Sequence, residues 1–157
     1  MMDALRSTLS GGRWHFQHGP IDIVIGADGD AVAVAAAHDA AWRRFETVLS
    51  ELVVELPRLR QPIEVVPPMP GTPDPCPVQG VVARRMWHAC QPFRAEFITP
   101  MAAVAGAVAQ ELIGCYERSG IQRAWVNNGG DIALHLAPDA SVRVGLFADL
   151  SRFEALA

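Results

Sequence analysis

The stretch at 126–132, Val-Asn-Asn-Gly-Gly-Asp-Ile, constrains the fold of this chain more than any other. Apolar, strand-like residues lie on both sides of it, so the chain is expected to reverse direction here as a β-hairpin. Asn-Gly alone supplies the positive backbone angles of a two-residue turn, and a run of five polar or glycine residues is longer than such a turn requires. Adjacent glycines let a ligand approach the backbone, and Asn and Asp side chains can orient it. A ligand-contacting turn and a plain turn with polar flanks are equally favoured.

A second stretch, Thr-Pro-Met-Ala-Ala-Val-Ala-Gly-Ala at 99–107, predicts the start of a helix. Thr99 suits the N-cap and Pro100 the first helical position, where the missing N–H costs nothing. Its small residues leave the backbone bare, and the positive end of the helix dipole favours an anion. Phosphate binding and tight packing against a sheet remain equal alternatives. Gly120 is expected to close this helix.

Periodicity predicts the remaining elements. After a loose tail, an opening hairpin joins strands at 13–17 and 21–25. Asp22 is expected to face solvent, and the alternative is that it lines a site. Helical spacing predicts a long amphipathic helix from about Asp30 to Leu56, ended by Pro57. We further predict a helix at 80–90, a strand at 93–98, and a three-stranded meander at 122–126, 131–136 and 142–147. The start of the helix at Thr99 and the Asn-Gly turn could then meet at the rim of the sheet.

The length, composition and charge of the chain limit the number of domains and the kinds of partner that it can have. The chain has 157 residues, 50% of them hydrophobic, which predicts a single domain spanning 1–157, with a proline-rich linker or loop at 57–79. The net charge of −4 and scattered basic residues favour neither a nucleic acid nor a membrane as partner. Neither a signal peptide nor an apolar stretch of membrane-spanning length is evident, so a soluble cytoplasmic protein is expected.

The cysteines and histidines predict no metal site. The three cysteines, Cys76, Cys90 and Cys115, have no CxxC spacing and an odd count, which favours reduced thiols. Cys115 lies in an apolar helical pattern, where a structural thiol is expected rather than a nucleophile. His15 and His18 have a ligand-like spacing, but no third ligand accompanies them, so they are interpreted as flanking a turn.

Together, the stretches at 99–107 and 126–134 resemble those of an uncharacterised bacterial and archaeal protein family within the ApbE-like superfamily. The resemblance covers about Trp14 to Asp149. Better-known members of that superfamily are flavin transferases, which use FAD and magnesium to attach FMN to a threonine of a redox protein. The resemblance implies an α+β fold with an antiparallel-leaning sheet and packed helices. The residues that we predict contact FAD, FMN or another nucleotide are Thr99, Met101, Ala102, Gly106, Asn127, Asn128, Gly129, Gly130 and Asp131.

The chain departs from the flavin transferases at two points. Ala105 stands where they place a lysine, and their magnesium-binding carboxylate and threonine come from a region C-terminal to anything in this sequence. The C-terminal part of the family fold is therefore expected to be absent, or completed by association into a homo-oligomer. Transferase activity and magnesium are doubtful on these grounds, and no catalytic residue is assigned.

Two functions follow from these observations. The first is a flavin- or nucleotide-binding protein that resembles the flavin transferases. The second is a non-catalytic assembly or interaction domain, in which the small residues serve helix packing. An enzyme acting on some other substrate remains a third possibility.

Overall fold

The computed structural model describes residues 3–64 and 76–145. These form an α+β structure in which three helices pack on one face of a five-stranded antiparallel sheet. The strands are β1 (Leu5–Thr8), β2 (Trp14–His18), β3 (Ile21–Gly29), β4 (Ile121–Asn128) and β5 (Asp131–Leu136), and they lie in the sheet in this order. The helices are α1 (Ala31–Leu59), α2 (Val81–Cys90) and α3 (Val104–Ile113). The α+β fold with an antiparallel sheet is confirmed.

The alternation of apolar and polar side chains along β3 determines which face of the sheet the helices cover. Ile21, Ile23 and Ile25 are buried towards the helices, while Asp22 points to solvent and pairs with His15 at 2.8 Å. Because side chains alternate along a strand, the register carries the same face into the neighbouring strands. Ile23 lies opposite Phe16 of β2, and Ile25 lies opposite Val126 of β4. The covered face is thus continuous across the sheet.

Helix α1 spans the covered face. The side chain of Asp30 accepts a hydrogen bond from the Ala33 N–H at 2.9 Å, and so caps the helix where the sequence predicts its start. The predicted end at Leu56 is wrong, because the helix continues through Pro57 to Leu59. Pro57 lacks the N–H that would bond the carbonyl of Val53, and the fully buried Leu59 side chain stabilises the last turn in spite of this loss.

Other predicted boundaries need correction. The predicted loose tail contains β1, an exposed edge strand that pairs with β2. The predicted strand at 93–98 is absent: 3₁₀ geometry covers Gln91–Phe93, turns follow, and Phe97 is 83% exposed. Apolar–polar alternation alone does not form a strand without a partner. Residues 142–145 form no strand, while 146 and 147 lie outside the described residues.

The C-terminal end of α3 also differs from the prediction. The helix passes into a 3₁₀ turn at Gly114–Tyr116, so Gly120 does not close it. Gly120 lies in the turn before β4 with φ +88°, and its carbonyl accepts the N–H of Asp30 at 2.8 Å. It therefore joins the entry of β4 to the cap of α1.

The uncovered face of the sheet is partly apolar. Trp125 of β4 lies over Gly26 of β3, and on β5 the side chains of Ile132 and Leu134 are 56% and 45% exposed. No helix among the described residues packs on this face. The described helices also include none that is long and apolar enough to cross a bilayer.

The contact of Trp125 with Gly26 predicts an effect on stability. A Cβ on Gly26 would lie 2.0 Å from a ring carbon of Trp125, so Gly26→Ala should displace the indole and lower the free energy of unfolding by about 1–3 kcal/mol. Urea denaturation measures this difference. In a Trp125→Ala background the same substitution should cost almost nothing, and an equal cost in both backgrounds would contradict the interpretation.

Candidate functional site

The turn at 126–132 is a two-residue hairpin. Asn128 and Asp131 pair as the last ladder residues of β4 and β5, and Gly129 and Gly130 between them have φ of +62° and +106°. Both angles lie in the region that favours glycine. The Asn127 side-chain oxygen accepts the Gly130 N–H at 2.9 Å, which fixes the turn. The conformation of the turn is therefore by itself a reason for the glycines at 129 and 130.

The two asparagines point to opposite faces of the sheet. Asn127 lies opposite Val24 and Ile132 on the uncovered face. Asn128 is buried on the helix side, and its Nδ2 donates to the carbonyl of Ala105 in α3 at 3.1 Å. The predicted meeting of the helix and the turn at the rim of the sheet is therefore confirmed, and Asn128 makes the hydrogen bond that joins them.

The helix begins at Pro100, but its first turn, Pro100–Ala103, is 3₁₀. Thr99 occupies the N-cap position with extended backbone and no capping bond from its side chain. Its carbonyl accepts the N–H of Ala102 at 3.1 Å instead. The α-helical part then starts at Val104, beside the hairpin turn.

The segment at 101–108 separates two clefts. One, here called the polar cleft, has a volume of about 570 Å³ and is lined by Arg85, Ala102, Gly106, Gln110 and Asp131, with the neighbouring small residues of α2, α3 and β5. The other, here called the apolar cleft, measures about 560 Å³ and is lined chiefly by Leu52, Leu56, Leu59, Met86, Met101 and Val104. Both volumes are in the range of small-molecule sites.

The predicted site residues divide between these clefts. Ala102, Gly106 and Asp131 line the polar cleft. Met101, Asn128 and Gly129 line the apolar cleft. The remaining three have backbone roles: Thr99 precedes the helix, while Asn127 and Gly130 bond to each other within the turn.

Asp131 faces α3 across the polar cleft. A Cβ on Gly106 would lie 3.9 Å from Oδ2 of Asp131, an ordinary contact distance. Glycine at this position is therefore not required by packing, although it leaves the cleft open beside the carboxylate. No hydrogen bond or ion pair joins the Asp131 side chain to the described residues. The carboxylate is available to accept from a ligand.

Arg85 supplies a cation that the sequence analysis missed. Its guanidinium lines the polar cleft and donates to the carbonyl of Ala107 at 3.2 Å and to Glu111 at 2.8 Å. It comes from α2, and no motif spacing connects it to residues of α3 or β5. Its position beside the apolar stripe of Val82 and Met86 was the available signal, since such flanking residues face a neighbouring helix.

Glu111 holds Arg85 in place. This carboxylate accepts from Arg44 at 2.8 Å as well, and Arg44 in turn bonds Glu51. Burial raises the pKa of Glu111, but the hydrogen bonds from Arg44 and Arg85 outweigh it and hold that pKa below its ordinary value. The carboxylate therefore stays charged at neutral pH and fixes the guanidinium from α2 against α3.

The cysteines and histidines have structural surroundings. Burial raises the pKa of the Cys90 and Cys115 thiols, which disfavours the nucleophilic thiolate. His15 pairs with Asp22 on the uncovered face, while His18 is buried on the other, so the two do not share a site. Among residues 3–64 and 76–145, no group of three or more His, Cys, Asp or Glu side chains is positioned to hold a metal.

The hydrogen bond from Asn128 predicts a cost for its removal. Asn128→Ala should lower the free energy of unfolding by about 1–3 kcal/mol, because it deletes a buried hydrogen bond between the turn and α3. Asn127→Ala, which removes a bond within the exposed turn, should cost less. Chemical denaturation of both variants measures the difference in the free energy of unfolding. Equal costs would argue against a stabilising hydrogen bond between Asn128 and α3.

Comparison with known proteins relates the chain to one family. The model of the family described as "AbpE bacteria" matches residues 6–157. A UPF0280 protein of Methanospirillum hungatei is 31% identical over 136 residues, which are 87% of this chain and 50% of that relative. A UPF0280 protein of Methanosarcina acetivorans is 33% identical over 138 residues, covering 87% and 49%.

A shorter match reaches higher identity. A UPF0280 protein of Methanothrix thermoacetophila is 40% identical over 76 residues, 48% of this chain and 30% of the relative. The chain thus spans at most about half the length of the curated relatives that it matches. Since the family model covers nearly the whole sequence, the chain belongs to the AbpE bacteria family.

Proposed function

We propose that this protein binds a flavin or another nucleotide, with the phosphate and sugar in the polar cleft. The observation that supports this most is the convergence of three separate segments on one cleft. The start of α3, the end of the β4–β5 hairpin and the Arg85 guanidinium all line it. The first two are the segments that resemble the flavin transferases of the ApbE-like superfamily.

The chemistry of the walls suits such a ligand. Arg85 and the positive end of the α3 dipole attract phosphate on one side. Asp131 repels phosphate but accepts hydrogen bonds from ribityl or ribose hydroxyls or from a ring N–H. A ligand that carries both an anion and several hydroxyl donors, as a nucleotide does, satisfies both walls at once.

The position of Arg85 can be compared with that of the lysine that the flavin transferases have and this chain lacks. Ala105 removes the positive contact of the flavin transferases and lines the apolar cleft, whereas Arg85 offers a cation in the polar cleft from another helix. The described residues do not fit a resident magnesium, because Asp131 is the one carboxylate among those that line the polar cleft and no group of three or more His, Cys, Asp or Glu side chains is placed to hold a metal. We therefore propose binding and assign no transferase step.

Titration with FAD and with FMN, followed by flavin fluorescence with and without magnesium, tests the proposal. Saturable binding is expected, and Asp131→Ala should weaken it at least tenfold because a hydrogen-bond acceptor on one wall of the cleft is lost. Asp139→Ala, in the turn after β5, is the matched control and should bind as the parent does. A folded parent protein without binding, or an Asp131→Ala variant that binds normally, would refute the proposal.

Gly106→Ala separates binding from folding in the same experiment. The added methyl meets its nearest atom at 3.9 Å, so the fold should be kept and gain up to about 1 kcal/mol from helix propensity. The methyl also projects beside Asp131, so the affinity for flavin should fall. A stabilised variant with unchanged affinity would place the nucleotide elsewhere.

A role in assembly is the second candidate, and the uncovered face of the sheet favours it. Ile132 and Leu134 are exposed side by side on β5, and within the described residues the outer edge of β5 pairs with no strand. Exposed edges with apolar side chains are sites of strand pairing between chains. A homo-oligomer formed through β5 would cover both features.

Size-exclusion chromatography with light scattering tests the assembly role. A dimer is expected, and Leu134→Glu should convert it to a monomer because a charge enters the apolar contact. Val32→Glu changes an apolar residue on α1 that is more exposed than Leu134 and should leave the dimer intact. A parent protein that stays monomeric at high concentration would exclude this role.

A further inference from the structure

The apolar cleft is a separate cavity with its own chemistry. Leu52, Leu56 and Leu59 of α1 line it, as do Met101 and Val104. None of the described residues that line it is aromatic. Flexible leucine and methionine side chains adapt to an aliphatic chain, whereas sites for flat rings usually offer an aromatic face. The cleft therefore fits an alkyl chain better than a ring.

Among the described residues that line this cleft, one is charged. Arg60, which follows the last residue of α1, lines it and is exposed. Arg44, Arg85 and Arg123 each bond a carboxylate of this chain. The side chain of Arg60 makes no hydrogen bond or ion pair with the described residues. A guanidinium beside an apolar cavity is complementary to an amphiphile with an acidic head.

The other polar residues of this cleft add no competing charge. Asn128 and Gly129 line it, and the Asn128 amide nitrogen is already bonded to the Ala105 carbonyl. Among the described residues that line the cleft, none is acidic, so nothing on its walls repels a carboxylate. The polar cleft differs in this respect, since Asp131 lies on its wall.

We propose that the apolar cleft binds a medium-chain aliphatic carboxylate. The alkyl chain lies among the leucines and methionines, and the carboxylate accepts two hydrogen bonds from the Arg60 guanidinium. The cavity of about 560 Å³ accommodates a chain of this class. This site is distinct from the proposed nucleotide site, because the helical segment at 101–108 lies between them.

Isothermal titration with decanoate, below its micelle concentration, tests the inference. Saturable binding with one site is expected, and octanoate should bind about tenfold more weakly because it buries two fewer methylenes. Arg60→Gln should weaken decanoate at least tenfold and leave the neutral decanol unchanged, since only the carboxylate needs the guanidinium.

Two valines on α1 give a matched pair of controls. Val53 lines the apolar cleft, and its neighbour Val54 does not line it, yet both are exposed. Val53→Glu should abolish binding by adding a negative charge to the cleft wall, while Val54→Glu should bind as the parent does. Asp131→Ala, on the polar cleft, should also retain decanoate binding whatever its effect on flavin.

Several outcomes would overturn the inference. They are a folded parent protein that does not bind decanoate, an Arg60→Gln effect that is equal for decanoate and decanol, and a Val54→Glu variant that loses binding as Val53→Glu does. Loss of decanoate binding in Asp131→Ala would show that the clefts are not separate. Because Arg60 is exposed, its substitution keeps the test decisive even where a valine variant fails to fold.

Discussion

The packing of α1 on the inward side chains of β2 and β3 is the contact on which the other elements depend. Phe16 and Ile23 are fully buried, as are Phe45 and Val48 of the helix, and the rings of Phe16 and Phe45 lie 5.4 Å apart. Once this face is covered, the antiparallel register requires that β4 turn the same side inward. That choice points Asn128 and Asp131 at α3 and leaves Asn127 on the other face. The facing of Asn127, Asn128 and Asp131 thus follows from the alternation of β3.

The sequence predicted correctly those elements in which the spacing of apolar residues matches the face that is buried in the structure. The alternation of 21–25, the stripe of α1 and the double glycine of the hairpin all encode geometry within a few residues. The failures are of the opposite kind. β1 is exposed along its whole length, so its pairing with β2 leaves no hydrophobic pattern to recognise. The stretch at 93–98 alternates correctly but has no neighbouring strand. Pro57 continues the helix because tertiary burial of Leu59 outweighs a local preference.

The candidate site was predictable only in part for the same reason. The segments at 99–107 and 126–134, which their sequence patterns single out, meet in the structure, but they line two clefts rather than one surface. A helix presents different residues in different directions, so consecutive positions such as Met101 and Ala102 face different clefts. The cation of the polar cleft could not be found from a motif, because Arg85 reaches it only through the packing of α2 against α3. The Glu111 carboxylate, which accepts from both Arg44 and Arg85, also depends on contacts between residues that are distant in the sequence.

The position of one thin helical segment between two cavities has a thermodynamic consequence. The segment at 101–108 is composed mainly of small residues. The Asn128 amide donates the hydrogen bond that joins it to the sheet. A molecule that moves this wall towards one cavity narrows the other. Two occupants would then change each other's affinity, and by the rule of linkage the factor is the same in both directions. Coupling between the two clefts would therefore need only a shift of this segment, since its residues line both.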